Sequence, residues 1–444
     1  MTSWRWAAIF SICVAVMSLS VPIGGAYAGY SLCALREGSH GPCTCKVSGE
    51  AAGRFTIVPR SHCRRGVKSR RDTAARGTSG SRAAPEAAPA PAERPTRAGM
   101  GIDQAAQEAN TTGALLVTGT NPAPAPKSRL DEIRARDKLI CGVNEGLLGF
   151  AHRSAVGEWT GIDAEFCRAV AAAVLGDSTK VEFVPLDAGA RFDALKSGKI
   201  DLLSRNTTWT MSREAELGID FAGTIYFDGQ SFMTSQERGL VSAQQLAGTT
   251  VCVQSATTTE PNAAYYFAAH GIQVETKAFQ SREALVKAYL GGECDAYTAD
   301  RSSLFADRAG FREPTKHVVL PEVISKEPLA PAVASGDREW LMIVRWVLAG
   351  LINAEEVGLT HDSASAAANG TELQGDAKRL IEGAATSGEK LRLDRAWLRT
   401  VIGAVGNYGE IFDSNVGRTG VLGMERGINS LWKEGGLLYA PPMW

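Results

Sequence analysis

Residues 180–204 read KVEFVPLDAGARFDALKSGKIDLLS. An apolar run, KVEFVPL, is followed by ARFDALKSGK, which has the pattern of a short helix, and then by a second apolar run, IDLLS. Strands that alternate with helices at such short spacing predict a parallel sheet covered by crossover helices. This stretch therefore indicates an α/β fold.

The chain before this stretch continues the same pattern. RLDEIRARDK (129–138) is predicted to be a short amphipathic helix, and LICGVN (139–144) a buried strand. In TGIDAEFCRAVAAAVLG (160–176) apolar residues recur every four positions, and Gly176 is placed to end a helix. Together these elements predict one α/β lobe.

A second series of elements follows further along the chain. Its strands and helices are predicted in TTVCVQ (249–254), residues 260–270, QVETKAF (273–279), SREALVKAYLGG (281–292) and CDAYTAD (294–300). Because the periodicity is that of the first series, these residues predict a second, smaller α/β lobe.

Two extended segments link the two lobes, FDGQSFMTSQ (227–236) and ISKEPLAPAVASG (324–336). Two crossings allow a hinge. We therefore predict an α/β protein of two lobes with this division: lobe 1 from residues 129–232 and 328–444, the latter with a helical C-terminal extension, and lobe 2 from residues 233–327.

The first 28 residues have the order of a secretory signal peptide. Arg5 precedes an apolar run over residues 7–21, and the small-x-small triplet AYA lies at residues 26–28. An uncleaved membrane anchor is the alternative, because a single arginine gives the start of a signal peptide little positive charge and because Pro22 interrupts the apolar run. The signal peptide predicts export to the periplasm.

Residues 29–128 differ in composition from the rest of the chain. They are rich in Pro, Ala and Ser and hold 14 Lys or Arg against 7 Asp or Glu, whereas residues 129–444 hold 32 against 41. Such a segment cannot bury enough apolar surface to offset chain entropy, so we expect it to be disordered. The formal net charge of -1 for the whole chain gives no attraction to nucleic acid.

Several metal-ligating residues lie in this basic segment, but their spacing matches no zinc-binding pattern: His40, Cys43, Cys45, His62 and Cys63. No G-x-x-x-x-G-K-[ST] loop for nucleotide phosphates is present in the sequence. We therefore predict neither a metal nor a cofactor.

Four of the nine cysteines lie after residue 128: Cys141, Cys167, Cys252 and Cys294. Disulfides form in the oxidising space outside the cytoplasm, and four cysteines allow three pairings. We favour Cys141 with Cys167 and Cys252 with Cys294, because each loop then closes within one lobe. Four buried free thiols are the alternative.

Polar residues follow the predicted strands, which end at Asn144, at residues 204–208, at residues 254–258 and at Asp300. In open α/β sheets, ligands bind beyond the carboxyl ends of the strands. Arg213 comes just after the second of these ends. Its guanidinium can hold a carboxylate by two parallel hydrogen bonds, with a third from the hydroxyl of Thr208. The alternative for Arg213 is an ordinary surface side chain.

The second lobe offers a complementary pair of features. QSATTTEPN (254–262) places threonines before a helix whose amides and dipole favour an anion, and Asp300 can pair with an ammonium group. One group that binds a carboxylate and one that binds an ammonium group, on facing lobes, predict an α-amino acid as the ligand. A simple helix start for the threonines, and a cap or turn role for Asp300, are the alternatives.

Six segments carry a resemblance to a known family: KLICGVNEGLLGF, WTGIDAEFCRAVAAAVLGD, LLSRNTTWTMSREAELGIDFAG, VCVQSATTTE, EVISKEPLAPAV and AVGNYGEIF. In this order they resemble the periplasmic general L-amino acid-binding proteins of ABC transporters, which have the type II periplasmic binding protein fold. The resemblance covers nearly all of residues 129–444 and none of residues 29–128.

The resemblance implies roles for individual residues. The arginine of the T-x-x-R segment, here Arg213, is implied to bind the ligand α-carboxylate, and Thr208 is implied to contact the same carboxylate. Thr258 is implied to donate through its amide and hydroxyl, and Asp300 to take the α-ammonium. The side-chain pocket is implied to be shaped by three residues of lobe 1: Asn206, Phe150 and Glu145.

One position departs from the family pattern. Where the family commonly has glycine before its threonines, this chain has Ala256. If the backbone there needs a positive φ, alanine costs about 1 kcal/mol.

The resemblance implies a monomeric binding protein without catalytic residues, which closes on an L-amino acid and delivers it to a membrane permease. It does not identify the preferred amino acids. An enzyme on the same fold, of the cyclohexadienyl or arogenate dehydratase type, is the alternative, with Glu145 and Glu260 as the nearest general acids or bases. A sensing domain that signals through an uncleaved N-terminal helix is a third possibility.

Overall fold

The computed structural model describes residues 128–444 and, before them, only two short strands, β1 (Cys45–Lys46) and β2 (Thr56–Ile57), which pair antiparallel. This pairing was not predicted from the composition of the segment. The predicted signal peptide of residues 1–28, and the rest of the chain up to residue 127, lie outside the described residues. Among the residues that are described, no helix has the length and apolarity to span a bilayer.

The chain passes through lobe 1 first. It forms, in order, α1 (Arg129–Arg136), β3 (Leu139–Val143), β4 (His152–Arg153), β5 (Trp159–Thr160), α2 (Ile162–Leu175), β6 (Val181–Pro185), α3 (Arg191–Lys196), β7 (Leu202–Leu203), α4 (Met211–Glu216), β8 (Ile219–Phe221) and β9 (Tyr226–Asp228). Helix α2 ends at Gly176 in the left-handed conformation, φ +70°, as the sequence predicts.

Lobe 2 follows. Its elements are β10 (Gln230–Ser235), β11 (Thr250–Gln254), α5 (Thr259–His270), β12 (Glu275–Phe279), α6 (Arg282–Leu290), β13 (Ala296–Asp300), α7 (Arg301–Gly310) and β14 (His317–Val319). They form one sheet in the order β12-β11-β13-β10-β14, in which β11 is parallel to β12 and β13. The predicted second α/β lobe is thus confirmed.

The chain then returns to lobe 1. This part contains β15 (Glu327–Leu329), β16 (Ala332–Ala334), α8 (Arg338–Glu356), α9 (His361–Ala368), α10 (Gly375–Gly388), α11 (Trp397–Val405) and α12 (Tyr408–Asn415). Short 3-10 turns occupy Gln236–Arg238, Ala243–Leu246, Pro314–Lys316, Glu389–Leu391, Gly427–Asn429 and Trp432–Glu434.

The sheet of lobe 1 is mixed rather than wholly parallel. Its order is β6-β3-β7-β16-β8, and β3 is parallel to both β6 and β7, as predicted. Strand β16 pairs antiparallel with β7 and β8. It belongs to the returning part of the chain and therefore enters the sheet in the opposite direction.

Two crossings connect the lobes, as the sequence predicts. Strand β9, just before the chain enters lobe 2, pairs antiparallel with β15, just after it leaves. The connection between the lobes is thus a two-stranded ribbon, which suits a hinge. The residue boundaries predicted for the two lobes stay predictions.

Each lobe contains one disulfide, with the predicted pairing. Cys141 of β3 bonds to Cys167 of α2, with 6.2 Å between their Cα atoms. Cys252 of β11 bonds to Cys294, just before β13, with 5.8 Å between Cα atoms. Both bridges attach the sheet to its neighbouring segment at the centre of a buried core.

The C-terminal extension packs on lobe 1. The hydroxyl of Tyr408 donates to the carbonyl oxygen of Ile225 at 2.7 Å. Arg426 forms an ion pair with Glu355 at 3.0 Å and lies 4.7 Å from the ring centre of Phe412. These contacts fix the extension to the lobe.

Candidate functional site

A cleft between the two lobes lies where the predicted strand ends meet. It has a volume of about 340 Å³. Lobe 1 lines it with residues that follow β3 and β7, and lobe 2 with residues that follow β11 and with the end of β13. Both sheets therefore direct their carboxyl ends at one space, which is where α/β folds bind ligands.

Arg213 lines the cleft from α4. The hydroxyl of Thr210 caps this helix and accepts a hydrogen bond from the Arg213 amide at 3.2 Å. Nη1 of Arg213 donates to the carbonyl oxygen of Thr208 at 2.7 Å, and the guanidinium carbon lies 5.4 Å from the ring centre of Phe192. Burial lowers the pKa of Arg213, while nearby carboxylates act in the opposite direction. The guanidinium is held at one end and keeps other N–H groups for a ligand.

Asp300 faces the same cleft from lobe 2. Its residue is 7% exposed, and its Oδ1 has no hydrogen-bond partner. Burial, and after it the carboxylates of Asp228 and Glu327, raise the pKa of Asp300 well above its ordinary value, against the effect of Arg213 and Arg191. No ion pair joins Arg213 to Asp300. An unpartnered buried carboxyl oxygen is costly, so a cation bound here would be stabilised.

Thr208 and Thr258 meet across the cleft and share a carboxylate. Their hydroxyl oxygens lie 3.4 Å apart, and both donate to Oε2 of Glu327, at 2.6 and 2.9 Å. Thr208 is placed there because it forms a bridge to Leu329 of β15. A hydroxyl carries one proton. The resemblance implied that these hydroxyls donate to a ligand carboxylate. In this arrangement both protons are used by Glu327, but each hydroxyl oxygen retains a lone pair that can accept a hydrogen bond.

Asn206 and Glu145 line the lobe 1 side of the cleft. Asn206 has φ +31°. Its backbone N–H donates to Oδ2 of Asp163 at 2.8 Å, and its side-chain Oδ1 accepts a hydrogen bond from Nδ2 of Asn144 at 2.9 Å. Burial raises the pKa of Asp163 to about 6, although hydrogen bonds from Asn206 and Ser204 lower it. Glu145 is exposed at the rim of the cleft. Asn206 is thus held rigidly and Glu145 is not.

Phe150 does not line the cleft, unlike the other predicted residues of the side-chain pocket. It is 1% exposed and packs edge to face on Tyr226, with ring centres 5.2 Å apart. The loop after β3 turns back through a bridge between Leu147 and Ala151. This turn places the ring in the core of lobe 1, which corrects the expectation that Phe150 shapes the pocket.

Three arginines that the sequence interpretation did not identify also line the cleft: Arg191, Arg205 and Arg282. Arg191 begins α3, the helix that follows β6, and β6 is the parallel neighbour of β3. Applying the strand-end rule to β6 would have identified this residue. Arg205 follows β7, and Arg282 begins α6 and forms an ion pair with Asp307.

Hydrogen bonds join the lobes across the cleft. Nη1 of Arg282 in lobe 2 donates to the carbonyl oxygen of Gly146 in lobe 1 at 3.4 Å. Nη2 of Arg191 in lobe 1 donates to the carbonyl oxygen of Ala256 in lobe 2, also at 3.4 Å. Ala256 has φ +60°, so the departure from glycine falls on a left-handed position. The lobes are therefore close together around the cleft.

Within residues 128–444 no group of three or more His, Cys, Asp or Glu side chains has an arrangement suited to a metal ion. The charged groups that line the cleft are guanidinium and carboxylate groups, which can form ion pairs with a charged ligand.

Residues 139–400 match the family of bacterial extracellular solute-binding proteins, family 3. A general L-amino acid-binding periplasmic protein, AapJ of Rhizobium johnstonii, is 46% identical over 333 residues, which cover 74% of this chain and 96% of that protein. The glutamate/glutamine/aspartate/asparagine-binding protein BztA of Rhodobacter capsulatus is 44% identical over 329 residues, with the same shares covered.

A solved structure is similar over the same part of the chain. It is an ABC transporter periplasmic binding protein from Brucella ovis with glutathione bound. It is 46% identical, has a TM-score of 0.69, and the match covers 72% of this chain and all of the Brucella ovis chain (100%).

Proposed function

Because the chain belongs to family 3 of the bacterial extracellular solute-binding proteins, we propose that it captures L-amino acids in the cleft between its lobes and delivers them to an ABC transporter permease. AapJ and the Brucella ovis protein are named as periplasmic proteins, which supports a periplasmic location. We expect a monomer.

The arrangement of Arg213 and Asp300 carries this proposal. One lobe supplies a guanidinium with unused donors, and the other supplies a buried carboxyl oxygen without a partner. The α-carboxylate of an amino acid would bind Arg213 by charge-assisted hydrogen bonds, and its α-ammonium would bind Asp300. Thr208 and Thr258 retain lone pairs and would accept further hydrogen bonds from the ammonium group. Closure of the lobes excludes water, which strengthens both ionic contacts.

The relatives favour a binding protein over an enzyme of the dehydratase type, since all those named are solute-binding proteins. The side-chain specificity stays a prediction, with Asn206 and Glu145 at the lobe 1 wall. A cleft of about 340 Å³ also justifies testing glutathione, the ligand of the Brucella ovis protein.

Isothermal titration calorimetry of the protein with a panel of L-amino acids and glutathione tests the proposal. We expect saturable binding of several L-amino acids. Arg213→Ala removes the charged donors to the α-carboxylate and should weaken binding roughly 10- to 100-fold.

Arg345→Ala is the matched control. Arg345 lies on α8, outside the cleft, and donates only to the carbonyl oxygens of Ala222 and Phe221. The Arg345→Ala variant should bind L-amino acids with the affinity of the wild type. Absence of binding to every ligand in the panel, or equal affinity of the Arg213→Ala variant and the wild type, would refute the proposal.

A further inference from the structure

The lobe 1 wall of the cleft carries more positive charge than one α-carboxylate requires. Its charged side chains are Arg191, Arg205 and Arg213 against Glu145 alone. We propose that Arg191 and Arg205 form a second anion subsite beside Arg213, which binds the side-chain carboxylate of an acidic L-amino acid. This inference rests on the proposed function, in which Arg213 and Asp300 hold the α-groups.

Arg191 is buried and forms no ion pair among the described residues, although Asp300 and Asp187 are near enough to raise its pKa. Its residue is 2% exposed, its Nε has no hydrogen-bond partner, and no ion pair joins it to a carboxylate of the described residues. Its guanidinium carbon lies 4.6 Å from the ring centre of Phe192, and its hydrogen bond to Ala256 is long, at 3.4 Å. Buried charges in proteins are normally paired. An anionic group of a ligand would therefore supply an ion-pair partner for Arg191.

Arg205 shows the same feature. It is 6% exposed and donates through Nε to the carbonyl oxygen of Leu186 at 2.8 Å, which fixes its side chain. No carboxylate of the described residues forms an ion pair with it, although Glu145 and Asp163 are near enough to affect its pKa. Its terminal nitrogens are thus available on the wall of the cleft.

Arg205 and Arg213 both lie near Arg191 on the wall of the cleft. Burial lowers the pKa of Arg191, and repulsion from Arg205 and from Arg213 lowers it further. Burial likewise lowers the pKa of Arg205, to about 10, so the Arg205 guanidinium is charged at neutral pH. An anion between Arg191 and Arg205 would remove repulsion that the folded protein otherwise bears. A ligand whose α-carboxylate binds Arg213 would extend its side chain toward Arg191 and Arg205.

L-Glutamate and L-glutamine provide the test, because they have the same shape and differ in one charge. Titration calorimetry should show that the wild-type protein binds glutamate about tenfold more tightly than glutamine, since hydrogen bonds to charged partners are the stronger ones. In the variants Arg191→Met and Arg205→Met this preference should fall toward one. In Arg345→Met, which removes one positive charge outside the cleft, it should be unchanged.

The wild-type comparison decides the matter even if a variant fails to fold. Equal affinity of the wild type for glutamate and glutamine would overturn the inference while leaving the proposed function intact. An equal loss of preference in Arg191→Met and Arg345→Met would also overturn it. Binding of no L-amino acid at all would refute the subsite and the proposed function together.

Discussion

Asp300 shares its surroundings with two other carboxylates. Burial comes first among the causes that raise its pKa, followed by Asp228 and Glu327. Burial also raises the pKa of Asp228, to about 6. Arg213 and Arg191 are the positive groups that face Asp300, and they do not cancel these effects. Asp300 therefore keeps its proton to a higher pH than an ordinary aspartate does.

Ligand binding should then release a proton. A raised pKa means that Asp300 stays protonated to a higher pH than usual, and an ammonium group beside it favours the ionised form. Between the pKa with ligand and the higher pKa without it, binding expels the proton, so affinity falls as the pH is lowered through this range. The binding enthalpy should consequently depend on the ionisation enthalpy of the buffer.

Calorimetry in two buffers between about pH 5 and 8 measures this proton count. Asp300→Asn should bind more weakly and lose most of the buffer dependence. Asp220→Asn, a carboxyl group on β8 outside the cleft, should retain it. A binding enthalpy that is the same in all buffers would contradict the prediction.

At the scale of elements, the turn from β11 to α5 brings lobe 2 to the cleft. Ala256 lies in this turn with φ +60°, where an L-residue with a Cβ atom is strained. Its carbonyl oxygen accepts the hydrogen bond from Arg191 of lobe 1. The strain therefore occurs at a position where the two lobes touch.

Ala256→Gly should raise the free energy of unfolding by about 0.5 kcal/mol. Glycine removes about 1 kcal/mol of backbone strain, and its greater freedom in the unfolded chain returns part of this gain. Urea denaturation measures the change. Ala190→Gly is the matched control, since Ala190 precedes α3 with φ -84° and should lose stability on the same substitution. A shift of both variants in the same direction would show that strain is not the cause.

Local patterns explain which features the sequence predicts. The order of strands and helices, and the convergence of Arg213 and Asp300, follow from periodicity and from the rule for strand ends. The direction of β16 and the partner of the Thr208 hydroxyl do not, because both depend on chain that returns from the other lobe. Glu327, which accepts that hydroxyl, is 119 positions away. Phe150 was misplaced for a related reason, since the turn of its loop decides where its ring points.

At the scale of the whole molecule, Glu327 joins the two lobes at the ribbon that connects them. It is 1% exposed on β15 and accepts hydrogen bonds from Thr208 of lobe 1 and from Thr258 and Asn262 of lobe 2. These bonds attach β15 to lobe 1 through Thr208 and to lobe 2 through Thr258 and Asn262. Glu327 should therefore favour the closed arrangement.

Glu327→Gln keeps the shape of the side chain but offers one acceptor oxygen where there were two. We expect a larger open population and an affinity for L-amino acids about tenfold lower, because apparent affinity falls with the fraction of molecules able to close. Small-angle X-ray scattering should show a larger radius of gyration without ligand and a wild-type value at saturation. Glu322→Gln is the control, since Glu322 accepts its hydrogen bond from Ser242 within lobe 2. If both variants scatter alike, Glu327 does not control closure.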